Sequence, residues 1–113
     1  MGERTQLLPG TLDLLILKAV SLGPLHGYGV LLRVEQITQG ALQVEQGAVY
    51  PALYRLERQG LLSTEWGTSE NNRRARFYSL TRSGRKRLKE EIDGWQRVVG
   101  AFSAAISTKA EDL

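Results

Sequence analysis

Residues 46–60 read Gln-Gly-Ala-Val-Tyr-Pro-Ala-Leu-Tyr-Arg-Leu-Glu-Arg-Gln-Gly. Val49, Leu53 and Leu56 fall at i, i+4 and i+7, the spacing of a buried stripe along one helix. The helix is expected from about 46 to 59, and Gly60 suits the left-handed turn just past its end. Its opposite side carries Gly47, Ala48, Pro51, Tyr54, Arg55 and Arg58, with Gln46 and Tyr50 at the stripe's edge near the N-terminal end. Pro51 is tolerated there because few backbone N–H groups of the first turns have intrahelical partners. Downstream, residues 62–66 and 75–80 alternate as strands. The intervening residues 67–74 are polar and rich in turn formers, so the segment reads as a hairpin with a basic tip. Arg73, Arg74 and Arg76 lie within four positions of one another.

Working outward toward the N-terminus, residues 1–9 read as a loose arm ending at Pro9-Gly10, after which Thr11 is placed to cap a helix running to about residue 22. Leu12, Leu14, Leu15, Ile16, Leu17, Ala19 and Val20 leave that helix almost no polar face, so burial on more than one side is expected, against the chain's own core and a second subunit. Gly23-Pro24 stops it. His26-Gly-Tyr-Gly opens a second helix, with Val30, Leu31, Val34 and Ile37 at helical spacing up to Gly40. Two small residues at a helix start indicate a close backbone approach, and the run is too short for a dinucleotide loop. Residues 41–45 form a linker.

Toward the C-terminus, Thr81 starts a last helix whose first turns carry Arg82, Arg85, Lys86, Arg87 and Lys89. Leu88, Ile92, Trp95, Val99, Phe102 and Ile106 then follow at spacings of 4, 3, 4, 3 and 4. This seven-residue repeat is the seam of a helix that pairs with another helix. Beyond Ser107 the chain reads as an unstructured tail.

The charge is unevenly distributed. Residues 1–45 hold three basic and four acidic side chains, residues 46–89 ten and three, and residues 90–113 two and five, so a segment of +7 lies between flanks of −1 and −3. A basic block of this kind suits a polyanion, whose condensed counterions it releases on binding. The 113 residues fit one domain, and 42% hydrophobic with 24% charged residues is ordinary for a globular protein. The absence of cysteine excludes disulfides and thiolate metal sites, and fits a cytoplasmic protein. The longest apolar stretch, 12–22, is broken by Asp13 and Lys18 and is too short to span a bilayer, so no membrane partner is expected. His26 is the sole histidine, which leaves it a structural or phosphate-contact role rather than a zinc site. No nucleophile–base pair, carboxylate cluster or phosphate-cradling loop is visible, so neither enzymatic activity nor a cofactor or metal is expected.

The order helix, helix, helix, hairpin, long helix defines a mainly α chain with a small β-hairpin. It is the layout of a winged helix-turn-helix domain (10–81) followed by a dimerisation helix (82–106), with the arm (1–9) and tail (107–113) outside. In that layout the third helix enters the major groove of double-stranded DNA, and the hairpin, or wing, lies along the adjacent backbone or minor groove. The expected DNA contacts are Tyr28, Gln46, Gly47, Ala48, Tyr50, Pro51, Arg55, Asn72, Arg73, Arg74 and Arg76, with Tyr50 reaching a phosphate through its hydroxyl. Asn71 and Asn72 are turn residues first. The expected dimer contacts are Leu12, Leu15, Ile16, Leu88, Ile92, Trp95, Val99, Phe102 and Ile106. Trp95, at mid-seam, either packs the dimer core or pairs with its symmetry mate to form a slot for a planar ligand. Trp66 reads as structural. An alternative is a winged-helix module that binds protein, against which the charge of residues 46–89 argues. A second alternative is an enzyme subunit that uses the dimer pocket.

The runs Gly10-Thr-Leu-Asp-Leu-Leu-Ile-Leu, His26-Gly-Tyr-Gly, Gly47-Ala-Val-Tyr-Pro-Ala-Leu-Tyr-Arg-Leu-Glu-Arg-Gln-Gly-Leu and Arg76-Phe-Tyr-Ser-Leu-Thr-Arg-Ser-Gly resemble the PadR family of bacterial transcriptional regulators over about residues 7–106. The wing most resembles an acidobacterial subgroup, whose genes often lie beside permease genes. The resemblance implies a homodimeric repressor of the short type that binds pseudo-palindromic operators and is released by a small aromatic or drug-like effector. Two features depart from the family pattern. The wing carries Arg-Ala-Arg-Phe-Tyr where many members have a Lys-Tyr-Tyr run, and Gln46-Gly-Ala opens the third helix where a hydroxyl residue is common. Both bear on which DNA sequence is read.

Overall fold

The computed structural model describes residues 5–8 and 10–113. In chain order the elements are β1 (Thr5–Gln6), α1 (Leu12–Ser21), β2 (Leu25–His26), α2 (Gly27–Ile37), β3 (Leu42–Gln43), α3 (Gln46–Arg58), β4 (Leu62–Thr68), β5 (Arg74–Leu80) and α4 (Arg82–Ser107). β4 and β5 form an antiparallel hairpin in which Leu62 pairs with Leu80 and Thr68 with Arg74. β2 adds to the free side of β5, giving the sheet order β2-β5-β4. This is the expected winged helix-turn-helix arrangement with a long C-terminal helix.

The core lies between α1, α2, α3 and the root of the hairpin. Ile16, Leu17, Val30, Val34, Val49, Leu53, Leu56 and Leu62 are its fully buried large side chains, and among the described residues Tyr78 is the one buried side chain that carries a polar group. The stripe Val49, Leu53 and Leu56 is the face that α3 presents to it. α3 ends at Gly60, whose φ of 77° provides the expected left-handed turn.

Several local expectations are corrected. Thr11 does not cap α1 with its side chain; its Oγ1 donates to the Leu8 carbonyl at 2.7 Å. The arm is not loose throughout, because β1 pairs in parallel with β3 inside the expected linker. The remainder of that arm, residues 1–4 and Pro9, lies outside the described residues. α2 stops at Ile37 rather than Gly40, since Gln39 and Gly40 both adopt positive φ and turn the chain toward β3. After Ser107, residues Ala110–Asp112 form a 3₁₀ turn where an unstructured tail was expected.

Two residues expected at a dimer contact belong to this chain's own core. Ile16 is 0% exposed, and Leu88 is buried where α4 crosses the domain. A nearly all-apolar helix such as α1 does not reveal from its sequence which side meets its own chain. Leu12, Leu15 and Ile92 are half-buried against the core.

α4 begins on a firm seat. Thr81 Oγ1 accepts from the Gly84 N–H at 2.9 Å, capping the helix, and donates to the Gly60 carbonyl at 2.7 Å. Thr81 N–H donates to the Leu61 carbonyl at 3.1 Å. The helix then runs 26 residues, about 39 Å at 1.5 Å per residue. Every residue from 95 onward is exposed in the single chain, including Trp95, Val98, Val99, Phe102 and Ile106.

Candidate nucleic-acid interface

The start of α2, Tyr50 of α3 and the wing border an open groove of about 610 Å³. Gly27 and Tyr28 from α2, Tyr50 from α3, and Trp66, Arg73, Arg74 and Arg76 from the wing are among its walls, with Tyr78 in its floor.

The close approach implied by His26-Gly-Tyr-Gly is made at Gly27, where an added methyl would fall within the Tyr50 ring. The missing side chain lets Tyr50 lie across the start of α2 while its phenol stays half-exposed at the groove. Gly29 serves a different purpose. Its N–H donates to His26 Nδ1 at 3.0 Å, so the imidazole caps α2. The imidazole also packs edge-on against Phe77 at 5.6 Å between centroids and brings Nε2 to 3.7 Å from Glu70 of the wing loop.

At the start of α3, Gln46, Gly47, Ala48 and Pro51 are all exposed. Gly47 and Ala48 add little bulk, so this end of the helix is open to close approach by a large partner. Arg55 is not part of this surface. Its guanidinium is turned back to Asp13 of α1 and ties the two helices together.

The three wing arginines occupy three different environments. Arg76 borders the groove, but its Nη2 donates to Glu57 of α3 at 2.8 Å and to Thr64 Oγ1 of β4 at 2.7 Å. Thr64 Oγ1 in turn donates to Glu57 at 3.0 Å. This triangle is a strut between wing and helix, so Arg76, expected as a DNA contact, is engaged within the chain while still bordering the groove. Arg74 lies over the indole of Trp66, 4.7 Å from the ring centroid. Arg73 is exposed, with no side-chain partner among the described residues. Asn72 has a φ of 58°, and its N–H donates to the Ser69 carbonyl at 2.9 Å, so it shapes the wing turn.

Trp66, His26, Ser69 and Asn71 border the groove without having been assigned to it from the sequence. For Trp66 a signal was available: counting back along the hairpin pairs it with Arg76 and places Arg74 on the adjacent diagonal. Of the ten basic side chains in 46–89, only Arg55 and Arg76 form ion pairs among the described residues, leaving eight without a carboxylate partner.

Tyr78 is buried beneath this surface. Burial pushes its phenol above its ordinary value, the Arg76 charge opposes the shift, and Glu57 and Tyr50 add to it. The fold therefore favours the protonated phenol. The stabilisation is complete below about pH 10, where the unfolded phenol is also protonated, and is lost as pH rises through the folded value. Urea unfolding from pH 9 to 11.5 is expected to show this alkaline loss, and Tyr78→Phe should reduce it.

Away from the wing, Trp95 borders two adjoining cavities between α1 and α4. One, of about 290 Å³, is lined by Leu7, Leu8, Thr11, Leu14, Leu15, Leu42 and Trp95. The other, of about 260 Å³, includes Glu90, Glu91 and Val98. Among the described residues no group of three or more His, Cys, Asp or Glu side chains is arranged to hold a metal ion.

Known proteins share this architecture. A PadR-like transcriptional regulator from Bacillus cereus superposes with a TM-score of 0.77 at 22% identity, covering 88% of this chain and 95% of that one. A PadR family transcriptional regulator from Eggerthella lenta gives 0.71 at 28% identity, with 88% and 85% covered. By sequence, an uncharacterised protein of Lysinibacillus sphaericus is 23% identical over 95 residues, covering 84% of this chain and 87% of the relative. An uncharacterised 37.1 kDa protein in a transposon of Streptomyces fradiae is 35% identical over 102 residues, and the match covers 89% of this chain but 28% of the transposon protein. The model of the transcriptional regulator PadR-like family matches residues 16–90. That span runs from the middle of α1 through the helix and wing into α4, and the chain belongs to the PadR-like family, a family of transcriptional regulators rather than enzymes.

Proposed function

We propose that this regulator is a cytoplasmic repressor that binds an inverted-repeat operator as a homodimer and releases it when a small aromatic effector binds. The observation that carries the reading is the groove itself, where Tyr28 of α2 and Tyr50 of α3 face a wing holding Arg73 and Arg74, within a segment having eight cations without a carboxylate partner among the described residues. Residues 10–81 then form the DNA-binding domain. Gln46, Gly47, Ala48 and Pro51 face base edges, Tyr28 and Tyr50 face phosphates, and Asn72, Arg73 and Arg74 carry the wing contacts. Residues 82–106 form the dimerisation helix, supported by the exposed apolar face of Trp95, Val98, Val99, Phe102 and Ile106. Leu12, Leu15 and Ile92 flank that face. Trp95 and the apolar cavity beside it support effector binding. A cytoplasmic site is consistent with the absence of cysteine, and no helix among the described residues is long and apolar enough to cross a membrane.

Selection of bound duplexes from a random pool tests the reading. An inverted repeat is expected, and recovery of unrelated sequences would sink it. If each subunit neutralises about three phosphates, the dimer neutralises about six, and log affinity should fall against log salt with a slope near −5. Salt-insensitive or absent retention of DNA would favour the protein-binding alternative.

Gly27→Ala separates DNA contact from folding. The three atoms nearest an added methyl all belong to the Tyr50 phenol, whose side chain is expected to swing aside at little cost in stability. Losing one phenol–phosphate hydrogen bond should weaken operator binding by about tenfold, the equivalent of roughly 1.4 kcal/mol. Fluorescence anisotropy alongside a thermal melt would report both quantities.

A further inference from the structure

We infer that Trp66 is a positioning residue for sequence discrimination by the wing: its indole holds the Arg74 guanidinium in a fixed plane and makes that arginine a preset probe of minor-groove width. The inference deepens the DNA-binding reading and rests on it. Trp66 is 58% exposed; Leu62 is the last buried residue of its own strand, and on the facing strand the buried core ends with Tyr78, one diagonal step short of it. Burial therefore gives little reason for so large an apolar side chain. What lies on the indole is Arg74, with its Cζ 4.7 Å from the ring centroid.

The hairpin register places the two together. Trp66 pairs with Arg76 and Thr68 with Arg74, so Trp66 and Arg74 are diagonal neighbours on one face of the sheet. That face turns toward the groove, since both residues border it with Tyr50. Gly67, next to Trp66, allows close packing of Phe77, because a methyl there would crowd the Phe77 ring. That contact lies on the opposite face of the hairpin from the indole and fixes the strand that carries it.

A free arginine side chain samples many rotamers and loses that freedom on binding. One already stacked on an indole loses less and offers its N–H edges in a defined direction. A narrow A·T-rich minor groove concentrates negative potential and rewards a correctly placed guanidinium, whereas a wider G·C-rich groove does so less. Arg73, with no ring or carboxylate beside it among the described residues, supplies charge without this directional constraint. Arg76 is engaged in the strut. The three wing arginines thus divide into a general phosphate contact, an oriented reader and a brace.

The test uses the whole protein and duplexes carrying the pool-selected inverted repeat, with only A·T or only G·C steps where the wings land. Dissociation constants and salt slopes are measured for the wild type, Trp66→Ala, Trp66→Tyr, Arg73→Ala, Arg74→Ala and the Trp66→Ala/Arg74→Ala double variant. The wild type should prefer the A·T flank by about tenfold. Trp66→Ala should reduce that preference to about twofold while leaving the salt slope unchanged, because no charge is removed. Arg74→Ala should lose the preference and also flatten the slope. The double variant should discriminate no worse than Arg74→Ala. Arg73→Ala should flatten the slope yet keep the preference, and Trp66→Tyr should restore most of it through its own aromatic face. A flank preference that survives Trp66→Ala, or is absent in the wild type, overturns the inference while leaving DNA binding intact. A wild type that retains no duplex at low salt overturns the DNA-binding reading itself. If Trp66→Ala does not fold, a preference unchanged by Arg74→Ala overturns the inference independently.

Discussion

Alanine at position 84 should cost this protein about 2–3 kcal/mol of folding stability, the upper part of the range for overpacking a filled interior. Gly84 is buried in the first turn of α4, and a methyl there meets the Leu61 carbonyl and Leu80 Cδ1. The side chain of Leu80 can shift, but the Leu61 carbonyl is backbone and is held by the Thr81 N–H. Relief requires lifting α4 from its seat, which disturbs the Thr81 bonds to Gly60 and Gly84. A fall of roughly 8–12 °C in Tm is expected for a domain of this size. The control is Gly100, in the same helix, where an added methyl would have nothing within 4 Å of it in the single chain. Alanine there should stabilise an isolated helix by at most about 1 kcal/mol. Equal tolerance at both positions would contradict the tight seat at Gly84.

Val99→Glu combined with Phe102→Glu should convert the proposed dimer to monomers and weaken binding to the proposed operator by at least about 100-fold. Phe102 is 65% and Ile106 81% exposed in the single chain, and every residue from 95 onward is at least partly open to solvent. Burying such side chains is worth about 1.5–3 kcal/mol each before the cost of association. Two glutamates per chain would replace that gain with desolvation and like-charge repulsion near the two-fold axis. Sedimentation velocity measures the state of assembly and anisotropy the DNA affinity, with circular dichroism checking that the domain remains folded. A variant that stays dimeric would sink the proposed interface. Monomers that bind the inverted repeat as tightly as wild type would sink the claim that paired domains set affinity.

The long-period features of this fold were legible because they repeat. Val49, Leu53 and Leu56 mark one face of α3 without ambiguity, and alternation over residues 62–66 and 75–80 marks the hairpin. Two-residue strands carry no measurable period, so β1, β2 and β3 escaped detection. Thr11 has the chemistry of a cap but not the geometry, and only backbone coordinates distinguish the two. The candidate site was legible as a set of elements, with α2, α3 and the wing meeting at one groove. It was less legible residue by residue. Arg55 finds Asp13 and Arg76 finds Glu57 across 42 and 19 positions of sequence, and no local pattern announces such pairs. Leu88 fits the α4 seam by spacing and Ile16 lies in a helix apolar nearly all round, yet burial by other elements of the same chain takes both out of reach.

The hydroxyl of Thr81 joins the end of α3 to the start of α4, and this gives the protein a mechanical gearing. With Gly84 and Leu88 seated on the domain, this side chain helps fix the direction of a rod about 39 Å long relative to the helix proposed to enter the groove. A rotation of about 5° at that joint would carry the far end of the rod through roughly 3 Å, by the geometry of a straight helix. Run in reverse, a displacement of a few ångströms between two such rods turns each reader by only a few degrees. The strut of Arg76, Glu57 and Thr64 makes wing and α3 turn together. In the proposed homodimer, the proposed effector acting at the rods would therefore change the pitch between two intact readers rather than reshape either one.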